Sequence, residues 1–356
     1  MSTYPITRVY DSDTRRISAV EALLEAEGIR RDGHLDYTCA MFDDEGHAIA
    51  TGSCFGNTLR CMAVSSAHQG EMLMNEIVTH LVEVEAERGC FRLFLYTKCS
   101  TTKFFGSLGF YEVARADGKA VLMENRKDGF SSHLSALAKT RREDAASSAV
   151  VMNANPFTNG HLHLVKTASE ASDVVHLFVV SEDASLFPYK VRKRLIEEGV
   201  AGLGNVVIHD SGPYIISSAT FPSYFLGDDL NVATGHAELD AAVFCKIAAA
   251  LGVTRRFVGE ERSSKVTAAY NEALARELPK AGIELTVVPR IAADGGNADE
   301  EGEAPVSAST VRELIKAGDL EGVRALVPPA TFAYLNSPEA EPVIARIKAT
   351  ADVVHH

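Results

Sequence analysis

Residues 149–326 alternate between short apolar runs and amphipathic segments, and this alternation restricts the possible folds more than any other feature. The run Val174–Val180 (VVHLFVV) is nearly continuous in apolar residues. A strand without polar alternation is typical of a parallel sheet that helices cover on both faces. Helical spacing in Leu162–Ala171 and Tyr189–Glu198 places a helix before and after it. We therefore predict a Rossmann-like parallel sheet with right-handed crossovers.

This half has further predicted elements. The other strands are Ala149–Met152, Asn205–His209, Arg256–Gly259 and Ile283–Pro289, and the other helices are His236–Leu251, Ser264–Leu278, Thr310–Ala317 and Leu320–Leu326.

Residues 1–125 have a mixed pattern of helices and alternating strands, which predicts a separate mixed α/β domain. The predicted helices are Thr14–Arg30, Gln69–Arg88 and Thr101–Leu108, and the predicted strands are Leu35–Phe42, Ala48–Cys54, Leu59–Val64, Arg92–Thr97 and Ala120–Met123. Residues 126–148 are rich in Ser, Lys, Arg and Asp. We interpret them as a linker with a short helix at Leu134–Arg142, so that the second domain comprises residues 149–356.

Charge and composition restrict the partners. Lys and Arg number 35 against 48 Asp and Glu, a net charge of −13, and no long basic run is present, so nucleic acid is not an expected partner. No apolar run reaches the about 20 residues of a membrane span. The first five residues show no secretory pattern, and the six cysteines lack CxxC spacing. We expect a cytoplasmic protein with reduced thiols and no membrane partner.

A phosphate-binding motif lies between the first strand of the second half and its helix. It contains Thr158, Gly160 and His161 in Thr-x-Gly-His spacing. A helix N-terminus offers free N–H groups and partial positive charge to an anion, and glycine allows close approach of the backbone. We predict that His161 donates a hydrogen bond to the α-phosphate and that Thr158 binds a neighbouring phosphate oxygen. Asn155 either orients this loop or simply forms a turn.

A second motif, Val306–Arg312, precedes the last predicted helices. Hydroxyls of Ser307 and Ser309 at a helix start, followed by Arg312, form a plausible clamp for the β- and γ-phosphates. The alternative is ordinary capping by Ser309, with Glu313 downstream. The two motifs, in this order and at these junctions, resemble the nucleotidylyltransferase (HIGH) superfamily, and this favours the clamp.

Other polar residues each allow two interpretations, one in ligand binding and one as an ordinary surface residue. Glu260, at the carboxyl end of a strand, contacts ribose or adenine, or is a surface carboxylate. The positive charges after the second strand either reach phosphate or acetate or lie on a solvated helix face; they are Lys190, Arg192 and Arg194. His163 lies two residues after His161, and because such side chains point apart on a helix, we expect a packing or surface residue and no metal site.

The first half resembles the GNAT acetyltransferase domain. The resemblance rests on the strand Cys61–Val64, the loop Ser65–Glu71, the helix after it, and Phe104–Phe110. In that family a glycine-rich turn binds the pyrophosphate of coenzyme A. Here Gly70 is retained, but Met72 and Met74 stand at about the positions of further glycines, which crowds a phosphate. The resemblance therefore implies a docking module, with Gln69 and Gly70 near a coenzyme-A-derived arm, rather than a working acetyltransferase.

Four longer segments resemble the citrate lyase ligase family: Val151–His161, His176–Pro188, Tyr214–Leu226 and Arg256–Glu260. The resemblance implies an ATP-dependent ligase. It activates acetate as acetyl-adenylate, releases pyrophosphate, and acetylates the thiol of the dephospho-coenzyme-A-type group on the acyl carrier subunit of citrate lyase. ATP would carry the Mg²⁺, with no metal ligands from the protein. Two alternatives stay open: nucleotidyl transfer to a small phosphorylated acceptor, and a non-catalytic nucleotide-sensing regulator.

Overall fold

The computed structural model describes residues 4–33, 35–69, 72–181, 185–215, 229–260, 265–292, 296 and 305–351, without the side chains of 229–233 and 265–269. The chain divides into two compact units. The first unit comprises residues 1–133 and 222–242, and the second comprises 134–221 and 243–356. The first change of unit falls within the predicted linker 126–148, but the assignment of 222–242 to the first unit has no counterpart in the sequence pattern. The domains 1–125 and 149–356 stay a prediction.

The first unit contains a seven-stranded mixed sheet in the order β1-β2-β3-β4-β5-β7-β6. Its strands are β1 (Thr7–Arg8), β2 (Tyr37–Phe42), β3 (Ala48–Phe55), β4 (Thr58–Val64), β5 (Phe94–Thr97), β6 (Tyr111–Ala116) and β7 (Ala120–Glu124), and its helices include α1 (Thr14–Ala26), α2 (Leu73–Glu87) and α3 (Thr102–Ser107). The strands β4 and β5 are parallel and pair only at Thr58 with Phe94 and at Leu59 with Leu95. Beyond these pairs, residues of both strands line a cavity of about 450 Å³.

The second unit contains a five-stranded, all-parallel sheet in the order β10-β9-β8-β11-β12. Its strands are β8 (Ser147–Met152), β9 (Val174–Val179), β10 (Val206–Asp210), β11 (Val253–Gly259) and β12 (Glu284–Val288). The helices from residue 129 onward are α4 (Gly129–Ala138), α5 (Asn159–Glu170), α6 (Tyr189–Val200), α7 (Asp229–Leu251), α8 (Lys265–Glu277), α9 (Ala308–Ala317), α10 (Leu320–Val323), α11 (Pro329–Leu335) and α12 (Glu341–Ala349). Every residue of β9 is buried, as its apolar run predicts. The predicted class, a mixed α/β part followed by a Rossmann-like parallel sheet, is confirmed.

The starts of α2 and α4 differ from the sequence prediction for reasons of backbone conformation and capping. Helix α2 begins at Leu73 rather than Gln69, because Met72 has φ 59° and a left-handed residue does not continue a right-handed helix. Helix α4 begins at Gly129 rather than Leu134. The buried carboxylate of Glu124 accepts a 2.6 Å hydrogen bond from the Phe130 N–H and so satisfies a donor in its first turn.

Some predictions lie outside the described residues. These are the role of Gly70, residues 182–184 and 216–226 of the family-like segments, and the start of the predicted helix at Ser264. Within the described ranges, no helix has both the length and the apolar composition needed to cross a membrane.

Candidate active site

The second sheet has one position where the chain reverses its direction of strand addition. From β8 the chain adds β9 and β10 on one side, and then β11 and β12 on the other. Ligands of open parallel sheets bind outside the carboxyl ends of the strands at such a point. A cavity of about 480 Å³ lies there, lined by residues at or after the ends of β8, β11 and β12. Topology and cavity therefore agree on one candidate site.

The first predicted motif forms the N-terminus of α5 at this cavity. Thr158 is the N-cap, and His161 closes a capping box with it. The Thr158 N–H donates to His161 Nδ1 at 3.1 Å, and the Thr158 hydroxyl lies 2.9 Å from the same nitrogen. The ring of Phe157 stacks on the imidazole with centroids 5.9 Å apart. These contacts fix the orientation of the imidazole from two sides.

The electrostatic surroundings keep the His161 ring neutral. Burial, followed by the positive charges of Arg290 and Arg312, lowers the pKa of His161 from 6.5 to about 4. In the protein without ligand, the imidazole is therefore uncharged at neutral pH. It offers hydrogen bonding rather than a positive charge.

The second predicted motif begins α9 on the other wall. Ser307 is the N-cap of this helix, and its hydroxyl accepts a 3.0 Å hydrogen bond from the Thr310 N–H, so the cap is Ser307 and not Ser309. Arg312 donates to the Ser309 hydroxyl at 3.2 Å and to the Asn155 carbonyl at 2.6 Å. These two hydrogen bonds link the first motif's loop to the second motif. Arg312 is only 3% exposed, so the link is made by a buried side chain at the floor of the cavity.

Gly160 brings the same two motifs together. A Cβ at this position would lie 3.1 Å from the carbonyl oxygen of Val306, which is tighter than nine in ten real Cβ contacts. The sequence predicts close approach of a triphosphate at Gly160. The neighbour that the structure shows is the backbone of the second motif.

All eight site residues predicted in the second half line this one cavity: Asn155, Thr158, Gly160, His161, Glu260, Ser307, Ser309 and Arg312. His163 lines it too, and its sequence interpretation as a packing or surface residue stays a prediction. Of the first-half candidates, Gln69 lines the cavity beside β4 and β5.

The three positively charged residues after β9 have different surroundings and do not form one anion-binding group. Arg192 is fully buried and donates to the carbonyl oxygens of Asn153, Val180 and Phe187 at 2.7, 2.9 and 3.0 Å. It therefore fixes loops at the carboxyl ends of the strands. The sequence predicts either contact with phosphate or acetate or a solvated helix face, and Arg192 has neither role. Lys190 is exposed, and Arg194 donates to Glu339 at 2.9 Å.

Sequence reasoning missed Arg290. It follows β12, lines the cavity, and donates from Nε to the Glu260 carbonyl at 2.8 Å. Its position directly after the predicted strand Ile283–Pro289 was the available signal, because the carboxyl ends of parallel strands share one edge. Among the residues described, no three His, Cys, Asp or Glu side chains are placed to hold a metal ion.

Comparisons with known proteins show the family of the chain. Residues 147–335 match the family model of the citrate lyase ligase C-terminal domain. The chain is 40% identical over 292 residues to a [citrate [pro-3S]-lyase] ligase of Klebsiella pneumoniae, which covers 81% of this chain and 83% of that protein. It is 36% identical over 337 residues to the [citrate [pro-3S]-lyase] ligase of Escherichia coli, 93% of each chain. Among solved structures, a GNAT-family acetyltransferase of Staphylococcus aureus is 13% identical, covering 34% of this chain and 98% of that chain, with a TM-score of 0.29.

The parallel sheet and the polar cleft at its switch point define an α/β enzyme of the Rossmann-like type. With these matches, the chain belongs to the citrate lyase ligase family and is a ligase. The resemblance seen in the sequence segments is thereby confirmed.

Proposed function

We propose that the second unit binds ATP in its cleft and adenylates acetate, and that the acetyl group then passes to the carrier thiol of citrate lyase. The observation that carries this proposal is the meeting of the Thr158–His161 and Ser307–Arg312 motifs at one cavity. The name of the relatives, [citrate [pro-3S]-lyase] ligase, supports citrate lyase as the target.

The first step needs no covalent enzyme intermediate. An acetate oxygen attacks the α-phosphorus in line, the bond to the β-phosphate oxygen breaks, and pyrophosphate leaves with the electron pair. Catalysis then depends on positioning and on stabilising negative charge. His161 would donate to the α-phosphate, and the N-termini of α5 and α9 would face the other phosphates.

The arginines provide charge at two depths. Arg312 is buried beneath the two motifs, whereas Arg290 is half-buried at the rim of β12. We propose that Arg290 contacts the β- or γ-phosphate and that Arg312 acts from behind Ser309. Mg²⁺ bound to the phosphates and water would neutralise further charge. Glu260, anchored beside Arg290, is then a candidate for the ribose hydroxyls.

In the second step the carrier thiol attacks the acetyl carbonyl carbon, the thioester forms, and AMP leaves with the former acetate oxygen. We propose that the cavity of the first unit holds the coenzyme-A-derived arm. Its lining is largely apolar, with Gln69, Met74 and Lys98 among the members. Such a surface suits an extended pantetheine-like chain better than a compact charged ligand.

A pair of methionines tests the docking site. Met74→Trp fills the cavity, whereas Met72→Trp changes a side chain that is 66% exposed and does not line it. Met74→Trp should raise the KM for the carrier about tenfold or more, with acetate activation unchanged, and Met72→Trp should have little effect. An unchanged carrier KM in Met74→Trp would contradict docking there.

Exchange of labelled pyrophosphate into ATP tests the adenylation step. We expect acetate-dependent exchange in the wild type and in His47→Ala, whose side chain is exposed in the first unit. In His161→Ala the rate of acetate-dependent exchange should fall about a hundredfold or more. Exchange that ignores acetate and requires a phosphorylated acceptor would contradict the proposal, as would ATP binding without exchange even when the carrier is present.

A further inference from the structure

The two hydrogen-bond donors of Thr158 are both directed at the same ring nitrogen. Its backbone N–H lies 3.1 Å from His161 Nδ1, and its hydroxyl lies 2.9 Å from it. A backbone N–H can only donate, so Nδ1 must carry a lone pair. In the neutral ring the proton therefore sits on Nε2, and the Thr158 hydroxyl is set to donate to Nδ1 as well.

The opposite ring nitrogen is in a different situation. His161 lines the cavity, and among the residues that the structure describes no acceptor takes a hydrogen bond from Nε2. The ring thus presents one unused N–H donor to the cleft. Its acceptor nitrogen is turned toward the start of α5.

Thr158 itself is poorly placed to bind a ligand. Only 1% of the residue is exposed, and its hydroxyl oxygen also accepts from the His161 N–H at 3.4 Å. Phosphate oxygens need donors, and the single hydroxyl proton of Thr158 is directed at Nδ1. The structure therefore argues against the sequence prediction of a phosphate contact at this residue.

We infer that Thr158 is a positioning residue that holds His161 as the Nε2–H tautomer, so that the imidazole acts as a fixed hydrogen-bond donor to the reacting phosphate. The catalytic part of this inference, donation from the imidazole to the reacting phosphate, rests on the proposed adenylation. The tautomer itself is a property of the protein without substrate. Arg290, Arg312, His163 and Glu260 are the other charged or titratable groups at the cavity, and within the described residues none of them forms a hydrogen bond with the ring nitrogens.

The test compares the wild type, Thr158→Val and Thr158→Ser by nitrogen NMR of the histidine rings, with His161→Gln to assign the signal. The wild type and Thr158→Ser should show His161 protonated on Nε2 at neutral pH. Thr158→Val keeps the backbone donor but loses the hydroxyl, so the ring signal should broaden or report a mixture of tautomers. A wild-type ring protonated on Nδ1 overturns the inference.

Two further measurements separate positioning from phosphate binding. Thr158→Val should bind a non-hydrolysable ATP analogue within about twofold of the wild type while kcat for pyrophosphate exchange falls about tenfold, and Thr158→Ser should restore kcat. Analogue binding weakened about tenfold, with an unchanged ring spectrum, would make Thr158 a phosphate ligand and refute the inference. If the wild type shows no exchange, adenylation fails, whereas the ring spectra still decide the tautomer.

Discussion

Replacing Thr331 by valine removes one buried hydrogen bond with almost no change in side-chain shape. Thr331 is fully buried in α11, and its hydroxyl donates to the Phe157 carbonyl at 3.0 Å. Phe157 directly precedes the cap of α5 and stacks on His161. Thr331→Val would leave that carbonyl buried without this donor, which costs about 1–3 kcal/mol. We expect the second unit to lose about 2 kcal/mol of unfolding free energy.

Thr331→Ser separates the hydrogen bond from packing. It keeps the hydroxyl but loses one methyl group, worth about 1 kcal/mol. Urea unfolding followed by circular dichroism should therefore rank the wild type above Thr331→Ser, and Thr331→Ser above Thr331→Val. Pyrophosphate exchange should fall in Thr331→Val because the phosphate loop loses an anchor. A valine variant as stable as the wild type would refute this account of the loop.

Three other predictions concern titration, packing and a buried charge. The unfolded His161 ring binds its proton at a higher pH than the folded ring, whose pKa is about 4, so the unfolding free energy should rise with pH up to about 6.5. His161→Gln should make this dependence shallower in urea titrations at about pH 5 and about pH 7, and an unchanged slope would contradict the shifted pKa. A Cβ at Gly129 would lie 2.7 Å from Glu124 Cδ, whereas one at Gly106 would meet nothing within 4 Å. Thermal unfolding should thus show that Gly129→Ala is destabilised by about 2 kcal/mol. Gly106→Ala should be unchanged or stabilised by up to about 1 kcal/mol. Equal effects of the two substitutions would contradict the predicted clash at Gly129. Arg192→Met removes the donors to three backbone carbonyls. Urea unfolding should therefore show a free energy of unfolding lower than that of the wild type by about 3 kcal/mol or more. A decrease of less than about 0.5 kcal/mol would show that these hydrogen bonds do not fix the loops.

The sequence pattern predicts the central strands of the second sheet well, because β8 and β9 are apolar runs next to amphipathic helices. The predicted strand Val174–Val180 differs from β9 by one residue. Helices α11 and α12 were not predicted. Prolines stand in their first turns, and their apolar residues reach the core only through contacts with distant segments. Such contacts leave no local signature.

The site was predictable where local chemistry defines it. Residue type and spacing in the sequence single out Thr158 and Ser307 near predicted helix starts, and both are N-caps in the structure. Their detailed partners were not predictable, because they depend on the fold. Arg312 bonds to Asn155 from far along the chain, and Arg192 is buried although Lys190, two residues before it, is exposed.

Isotope transfer from acetate to AMP tests the central claim most directly. The purified protein would be supplied with ATP, Mg²⁺, the carrier bearing its free thiol, and acetate labelled with ¹⁸O, and the AMP would be analysed by mass spectrometry. Attack of acetate on the α-phosphorus predicts that one labelled oxygen remains in each AMP and that the pyrophosphate is unlabelled. AMP without label, or label in inorganic phosphate alongside ADP, would contradict adenylation of acetate in this cleft.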